Sequence, residues 1–251
     1  MNNSYFEKEY EINSVMINMK KNLGLYGVLG LLQDVGTIHA ELMGLGFEAM
    51  IKNNAFWVFT QHKLLMKQWP KWQDKVLIKT WPRKIQGLKA YRDYTIYLNG
   101  ERIGESVATF MVLDGSTRKP VKPRLDNLLY DENKYEELNI IPEKVKLPDS
   151  MELANTLYVR NSDLDMNNHV NNTKYSQWIL DTIHIDYHHN FLVSEFDINF
   201  LSECRLGDTI DIFMSKDEVQ DRVKSFYQGI RKSDQKTVFV AHISGLKLSP
   251  S

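Results

Sequence analysis

The alternation of hydrophobic and polar positions predicts an ordered series of elements in the first half of the chain. Apolar residues recur at helical spacing over residues 23–45, which predicts one long helix. Asn99-Gly100 is typical of the tight turn of a β-hairpin. Alternating and apolar runs predict five strands, at residues 5–13, 56–66, 76–81, 88–98 and 103–113.

The second half repeats this order. A strand over residues 153–160 and a helix over about residues 172–184 come first, and a turn is expected at residues 233–235. Four more strands are predicted near residues 194–203, 209–218, 223–232 and 237–248. A strand, a helix and four strands, twice over, predict an α+β chain of two units. In each unit an antiparallel sheet would wrap one long helix.

Residues 114–150 separate the two predicted units and differ from both in composition. They hold four of the seven prolines and a charged run at residues 131–137. Prolines at this density interrupt regular structure, so we expect a linker with a short helix. The predicted domains are therefore an N-terminal unit over residues 1–113, a linker over residues 114–150 and a C-terminal catalytic unit over residues 151–251.

Composition narrows the class of protein. The chain has 251 residues, 43% hydrophobic and 25% charged, which excludes a disordered chain, a collagen-like fibre and a disulfide scaffold. Cys204 is the single cysteine, so an intrachain disulfide is excluded and a reducing compartment is expected. The first residues lack the pattern of a signal peptide, and the apolar stretch at residues 23–32 is shorter than the ~20 residues that span a bilayer. We therefore expect a cytoplasmic protein without membrane insertion.

Charge is distributed unevenly along the chain. The net charge is −1, which argues against a nucleic-acid binder. Residues 1–130 hold 18 Lys and Arg against 12 Asp and Glu, whereas residues 131–251 hold 13 against 20. The total therefore combines a basic half with an acidic half, and chance scatter is the plain alternative.

The densest group of polar residues lies between residues 160 and 178. Asp165, Asn167 and His169 occupy alternate positions, and in an extended segment such side chains point to one side. Asn171 and Asn172 are good N-caps for the helix that follows, whose first N–H groups can bind a developing negative oxygen. This combination suits acyl chemistry. The alternative is an Asx-rich loop that caps a helix.

Several motifs carry a resemblance to a known family. Residues 163–172 read Asp-Leu-Asp-Met-Asn-Asn-His-Val-Asn-Asn, and Glu203-Cys204 ends a predicted strand. Tryptophan and proline blocks lie in the first half, at Trp57-Val58, residues 69–74 and Thr80-Trp81-Pro82. With these motifs the chain resembles acyl-acyl-carrier-protein thioesterases of the FatA/FatB type over nearly its whole length. The resemblance implies a double hotdog fold, in which the first unit shapes the acyl-binding tunnel and the second carries the catalytic groups.

The resemblance also implies an activity and a set of site residues. The chain would be a hydrolase of fatty acid biosynthesis that cleaves the thioester of fatty acyl-acyl carrier protein (acyl-ACP) to a free fatty acid and the carrier. No cofactor and no metal are expected. The implied catalytic residues are Asp165, Asn167, His169 and Glu203, with Cys204 adjoining.

Two assignments of catalytic roles are compatible with these residues. In the first, Glu203 is the general base that activates a water. Asn167 and His169 then position water and substrate, Asp165 orients them, and the N–H groups near Asn171 and Asn172 hold the oxyanion. In the second, Cys204 is a nucleophile activated by His169. The first is preferred because no neighbouring sequence feature lowers the pKa of the Cys204 thiol.

The expected partner is an acyl carrier protein with a fatty acyl chain attached. Carrier proteins of this kind are acidic, so a basic cluster in the first half is a candidate docking site. Its members are Arg118, Lys119, Lys122 and Arg124. A solvated basic loop is the alternative. No nucleic acid is expected, and a homodimer is one assembly that the fold allows.

Two other features have a structural interpretation. His184 and His188 have the spacing of metal ligands on one helix face, but no acidic third ligand accompanies them, so a solvated helix end is preferred. Gly24, Gly27 and Gly30 lack the context of a dinucleotide site and are expected to let a sheet approach the helix.

Three rival functions remain open on the same fold. They are an acyl-CoA thioesterase, a non-catalytic regulator that binds acyl thioesters, and a dehydratase that uses the same polar residues differently. The intact Asp-x-Asn-x-His string argues against the regulator, because binding without turnover does not need it.

Overall fold

The computed structural model describes residues 4–122, 137–185 and 191–247. The chain divides into two compact units, residues 1–142 and residues 143–251. This division lies inside the predicted linker. Residues 123–136 of that linker, with most of the charged run where a short helix was expected, lie outside the described residues.

Among the described residues, unit 1 is an antiparallel sheet with two helices. Its strands are β1 (Phe6–Glu11), β2 (Ala55–Met66), β3 (Lys75–Pro82), β4 (Lys89–Leu98), β5 (Glu101–Asp114) and the two-residue β6 (Pro120–Val121); its helices are α1 (Leu25–Leu42) and α2 (Phe47–Lys52). The order in the sheet is β1-β3-β4-β5-β2, and β6 pairs with β5. All five predicted strands are present. The prediction of a single helix over residues 23–45 is wrong at its C-terminal end. Gly44 adopts a φ of 70°, so the chain leaves α1 and then starts the separate helix α2.

Helix α1 packs against one face of this sheet. His39 stacks on Phe6 with 5.9 Å between ring centroids, and its Nδ1 accepts a hydrogen bond from Arg92 Nη1 at 2.8 Å. The closest approach is at Gly36, where a Cβ would lie 2.6 Å from the Tyr94 hydroxyl oxygen. The earlier glycines do not have the expected role. A Cβ at Gly30 would meet nothing within 4 Å, and one at Gly27 would meet Met16 and Leu23, which lie outside the strands.

The opposite face of the sheet holds a buried ion pair. Arg83 Nε lies 2.7 Å from Asp93 Oδ1, and both side chains are buried. Burial raises the pKa of Asp93 to about 6, so the carboxyl is still ionised at neutral pH. The guanidinium also donates to the carbonyls of Leu138 (2.9 Å) and Ile140 (3.0 Å), and Leu138 N donates to Asp93 Oδ2 at 3.0 Å. The pair therefore attaches this part of the predicted linker to unit 1.

Replacing Asp93 by Asn should lower the free energy of unfolding by about 3–5 kcal/mol, because the Arg83 charge stays buried without its counter-ion. The matched control is Glu9→Gln, which removes an exposed pair with Lys75 at 3.8 Å and should cost less than about 1 kcal/mol. Urea unfolding of both variants measures the difference. Equal losses would contradict the importance of the buried pair.

In its described residues, unit 2 repeats the architecture of an antiparallel sheet with a helix, α3. Its elements are β7 (Glu152–Tyr158), a 3-10 turn (Asn161–Asp163), α3 (Asn172–Leu180), β8 (Phe191–Phe200), β9 (Thr209–Val219), β10 (Arg222–Arg231) and β11 (Thr237–Lys247). The antiparallel order is β8-β11-β10-β9-β7. Helix α3 ends before the predicted residue 184, because Thr182 N and Ile183 N bond to carbonyls three residues back and tighten the chain into turns.

Helix α3 lies on one face of this sheet. The Tyr175 ring meets Phe200 of β8 and Phe239 of β11 edge-on, at centroid distances of 5.3 and 5.4 Å. On the opposite face, the Asn199 side chain accepts from Val145 N at 2.8 Å and donates to Glu143 O at 3.0 Å. Asn199 thus attaches the other end of the predicted linker to unit 2. The expected α+β arrangement, a sheet with a long helix in each unit, is confirmed.

In the described ranges, no helix has both the length and the apolar character needed to cross a membrane.

Candidate active site

The segment that carries Asp165, Asn167 and His169 is a tight turn. Leu164 and Val170 form an antiparallel bridge at its ends, and Asp165 N donates to His169 O at 2.8 Å. Asn168 has a φ of 58°, a left-handed conformation that asparagine tolerates better than most residues. The extended conformation is therefore wrong, because the backbone closes on itself within five residues, and the alternative of an Asx-rich loop that caps a helix describes this segment.

The Asp165 carboxylate fixes the backbone of this turn. Its Oδ1 accepts from Asn167 N at 2.8 Å and more weakly from His169 N at 3.4 Å. A short acidic side chain that bonds to N–H groups two and four residues on is a common way to hold such a loop. Asp165 thus orients the two residues that the sequence places beside it. The Asn167 side chain is exposed on the same turn.

The turn leads directly into helix α3. Asn171 is the N-cap: its Oδ1 accepts from Thr173 N at 2.9 Å and from Thr173 Oγ1 at 2.8 Å. The predicted capping position is confirmed for Asn171, and Asn172 is the first helical residue. The first N–H groups of a helix have no partner within the helix. The turn therefore places His169 two residues before a ready-made site for negative charge.

Glu203 and Cys204 lie in the loop over residues 201–208, between β8 and β9, and not at the end of a strand as expected, because β8 ends at Phe200. Val170 N donates to Cys204 O at 3.0 Å and joins this loop to the turn. As a result, His169 Nε2 lies 3.4 Å from Glu203 Oε2, and both side chains are partly exposed, at 26% and 32%. Arg205 Nη2 lies 3.8 Å from the same carboxylate oxygen. An imidazole and a carboxylate therefore meet where water can reach both.

The Cys204 thiol has a different environment from the neighbouring carboxylate. Cys204 is fully buried, and burial raises the pKa of its thiol to about 11, against the opposing effect of a hydrogen bond with Tyr175. Burial likewise raises the pKa of the Tyr175 hydroxyl. The thiol is therefore protonated at neutral pH and packs beneath α3.

Comparison with known proteins identifies the family. The acyl-ACP thioesterase N-terminal domain matches residues 3–127, and the acyl-ACP thioesterase C-terminal domain matches residues 147–243. The chain belongs to the acyl-ACP thioesterase family. The family resemblance expected from the sequence is thus confirmed.

Relatives of this family member come from plants and bacteria. The chain is 27% identical over 240 residues to the chloroplastic oleoyl-acyl carrier protein thioesterase of Coriandrum sativum. The aligned region covers 87% of this chain and 64% of the relative. It therefore spans about three fifths of the length of the curated relatives that it matches.

Solved structures show the fold. An acyl-ACP thioesterase from Bacteroides thetaiotaomicron is 20% identical with a TM-score of 0.81, and covers 97% of this chain and 98% of its own. The 12:0-ACP thioesterase from Umbellularia californica is 18% identical with a TM-score of 0.78, and the superposition covers 97% of this chain and 94% of that structure. The predicted double hotdog fold is confirmed.

One residue at the site of this family member was missed by the sequence reasoning. Arg231, at the end of β10, donates from Nη1 to Glu203 O at 2.7 Å. Asp234 accepts from Arg231 Nε at 3.0 Å and from Nη2 at 2.8 Å. The local signal was an Arg-x-x-Asp sequence at a predicted turn. That signal gives no indication that the guanidinium reaches a loop about thirty residues earlier in the chain.

A second group of titratable residues lies away from this site. Ligand atoms of Glu195, Asp197 and His242 lie within 4.8 Å of one another, and His242 Nε2 is 3.5 Å from Glu195 Oε1. Asp197 pairs with His242 in the sheet, three positions from the Phe200–Phe239 pair that meets α3, so the group occupies the opposite face. His188, the expected second member of a histidine pair, lies outside the described residues.

Replacing Asp165 by Ala should open the turn, whereas Asp165→Asn keeps the acceptor oxygen and should preserve it. A hydrogen bond is worth about 1 kcal/mol net, so we expect amide exchange at Asn167 and His169 to accelerate up to about tenfold in the Ala variant. Hydrogen exchange followed by NMR measures this at both amides. Equal rates in the two variants would argue against the carboxylate as the holder of the turn.

Proposed function

We propose that this chain hydrolyses the thioester of fatty acyl-ACP to a free fatty acid and carrier protein, ending chain elongation. The observation that carries the proposal is the 3.4 Å contact between His169 Nε2 and Glu203 Oε2 beside the start of α3, in a member of this family. Named relatives include an oleoyl and a dodecanoyl enzyme, so the proposal concerns the fatty acyl class as a whole.

Thioester hydrolysis needs a water made nucleophilic and a place for the developing oxyanion. Glu203 is the general base in this proposal, since its carboxylate is about one third exposed and lies beside an imidazole. His169 and Asn167 position the water and the carbonyl. The N–H of Asn172, the first residue of α3, stabilises the oxyanion. The N–H of Asn171, the other donor expected from the sequence, is used within the loop, where it donates to Asp163 O at 2.8 Å. A thioester carbonyl is already reactive, so this route uses no metal and no cofactor.

The alternative nucleophile is disfavoured by its environment. Cys204 is fully buried, and the raised pKa of its thiol keeps it protonated at neutral pH. The thiolate is the reactive form of cysteine, and burial opposes its formation. Water activated by Glu203 therefore remains our preferred route.

A matched set of acyl-ACP and acyl-CoA substrates of graded chain length tests the function. We expect faster release of fatty acid from the carrier-bound series. Glu203→Gln should reduce kcat by about 100-fold or more, because general-base catalysis contributes about 10²–10⁴-fold. Cys204→Ala should stay within about threefold of the unchanged protein. Single-turnover assays with identification of the released acid measure each rate.

Three outcomes would change this conclusion. Equal or faster turnover of acyl-CoA would assign the chain to the acyl-CoA thioesterases. Tight binding of acyl-ACP without turnover would favour a regulator. Loss of activity in Cys204→Ala, with an acyl-enzyme trapped in the unchanged protein, would replace the water route by covalent catalysis.

We also propose that the basic cluster is the docking site for the acidic carrier. Its described members, Arg118, Lys119 and Lys122, are all exposed at and after the turn that follows β5. The turn is held by Asp114, which accepts from two N–H groups, and the Arg118 guanidinium lies 4.8 Å from the Phe56 ring centroid. Arg124, the fourth member, lies outside the described residues.

The net charge of unit 1 supports this docking site less strongly than the net charge of residues 1–130 does. Unit 1 holds 19 Lys and Arg against 16 Asp and Glu, and unit 2 holds 12 against 16. The difference in net charge between the units is smaller than that between the halves, because the acidic residues at positions 131–137 belong to unit 1. The local cluster, and not the overall charge of the unit, is therefore what would steer the carrier. The cytoplasmic location and the homodimer stay predictions.

Reversing the charge of the cluster should raise KM for acyl-ACP about tenfold at low salt, because steered association is lost. The reversed residues are Arg118, Lys119, Lys122 and Arg124. Turnover of a short soluble thioester should be unchanged, and added salt should shrink the difference. The matched control reverses four exposed lysines elsewhere in unit 1, namely Lys21, Lys67, Lys71 and Lys89. An equal rise in KM in the control would contradict a specific docking site.

A further inference from the structure

The carboxylate that acts as base in the proposed reaction is carried by a loop and not by a strand. Glu203 lies three residues beyond the end of β8. General-base catalysis requires its oxygen to stay near His169 Nε2, at 3.4 Å in this structure. Since a misplacement of about 1 Å can cost about 10²-fold in rate, the loop backbone has to be fixed.

Backbone hydrogen bonds fix the loop on both sides of Glu203. Leu201 N and Ser202 N donate to Val238 O at 2.9 and 3.2 Å, before the glutamate. Cys204 O accepts from Val170 N at 3.0 Å, after it. The Glu203 carbonyl itself accepts from a side chain, at 2.7 Å from Arg231 Nη1. The guanidinium is therefore the group that holds the peptide unit of the base.

The guanidinium is held in turn by Asp234. Both carboxylate oxygens accept from Arg231, at 3.0 and 2.8 Å, in the planar two-bond geometry that fixes the direction of an arginine. The hydrogen bonds from Arg231 lower the pKa of Asp234, so the carboxylate stays ionised. Asp208, at the end of the loop, lies 3.6 Å from Arg231 Nη1. The Arg231 side chain is only 14% exposed, which limits competition from water.

We propose that Arg231, held by Asp234, is a positioning residue for Glu203. It acts on the backbone of the base, through the hydrogen bond from Nη1 to Glu203 O, and contributes no reacting group to the proposed hydrolysis. Its loss should allow the carboxylate to move away from His169 without removing any catalytic group. This inference builds on the proposed function, in which Glu203 is the base.

Kinetics of three variants test the proposal. Arg231→Met removes every donor and keeps the length of the side chain, Arg231→Lys keeps the charge without the planar fork, and Asp234→Asn weakens the support. We expect kcat for acyl-ACP to fall about 10- to 100-fold in Arg231→Met, with smaller losses in the other two, and KM to stay within about twofold. The matched control is Arg222→Met, at the exposed start of the same strand, which should keep the original kcat.

A double-mutant cycle separates positioning from general damage. If Arg231 acts through Glu203, Arg231→Met should cost little more in a Glu203→Gln background, because the base is already absent. The full additional loss in that background, or a loss confined to thermal stability, would overturn the proposal. Circular dichroism of each variant confirms that rates are compared on folded protein.

NMR of the His169 ring gives a readout that does not depend on turnover. Arg231→Met should move the ring ¹H–¹⁵N signals of His169 in the same direction as Glu203→Gln, since both remove the carboxylate from its side. Unchanged signals in Arg231→Met would overturn the positioning role even if the protein hydrolyses acyl-ACP. Conversely, a protein that shows the shift but does not hydrolyse acyl-ACP would contradict the proposed function alone.

Discussion

The hydrogen bond from Val170 N to Cys204 O is the constraint on which the site depends. It joins two segments that are far apart in sequence, the turn that ends at Val170 and the loop after β8. By placing the loop beside the turn, it brings Glu203 to His169 and the Cys204 thiol to Tyr175. Both partners of this bond are backbone groups, so the side chains around it are left available for chemistry.

Buried polar side chains do a similar task where irregular chain meets a sheet. The Arg83–Asp93 pair holds Leu138 and Ile140 on unit 1, and Asn199 holds residues 143 and 145 on unit 2. In each case the polar atoms of an irregular segment bond to a side chain in a strand of the sheet or directly after one. Buried N–H and carbonyl groups that lack a partner are costly, so irregular chain can cover a sheet only where such partners exist.

What the sequence could predict follows from the range of the interactions involved. The strands could be predicted from the periodicity of apolar residues. The capping role of Asn171 could be predicted because it depends on a residue two positions away, Thr173. The turn around Asn168 was predicted only as the alternative of an Asx-rich loop, since alternate polar residues suit an extended segment equally well. Arg231 was missed because its target, the Glu203 carbonyl, is a backbone atom that leaves no mark in the sequence.

The burial of Cys204 has a consequence beyond catalysis. The chain contains one cysteine, and its thiol is buried and forms a hydrogen bond with Tyr175 of α3. A thiol-specific reagent can therefore react only while this part of unit 2 is transiently open, so the labelling rate would report the opening equilibrium of that region. Labelling of Cys204 would thus measure the local stability of the loop that also carries Glu203, the proposed general base.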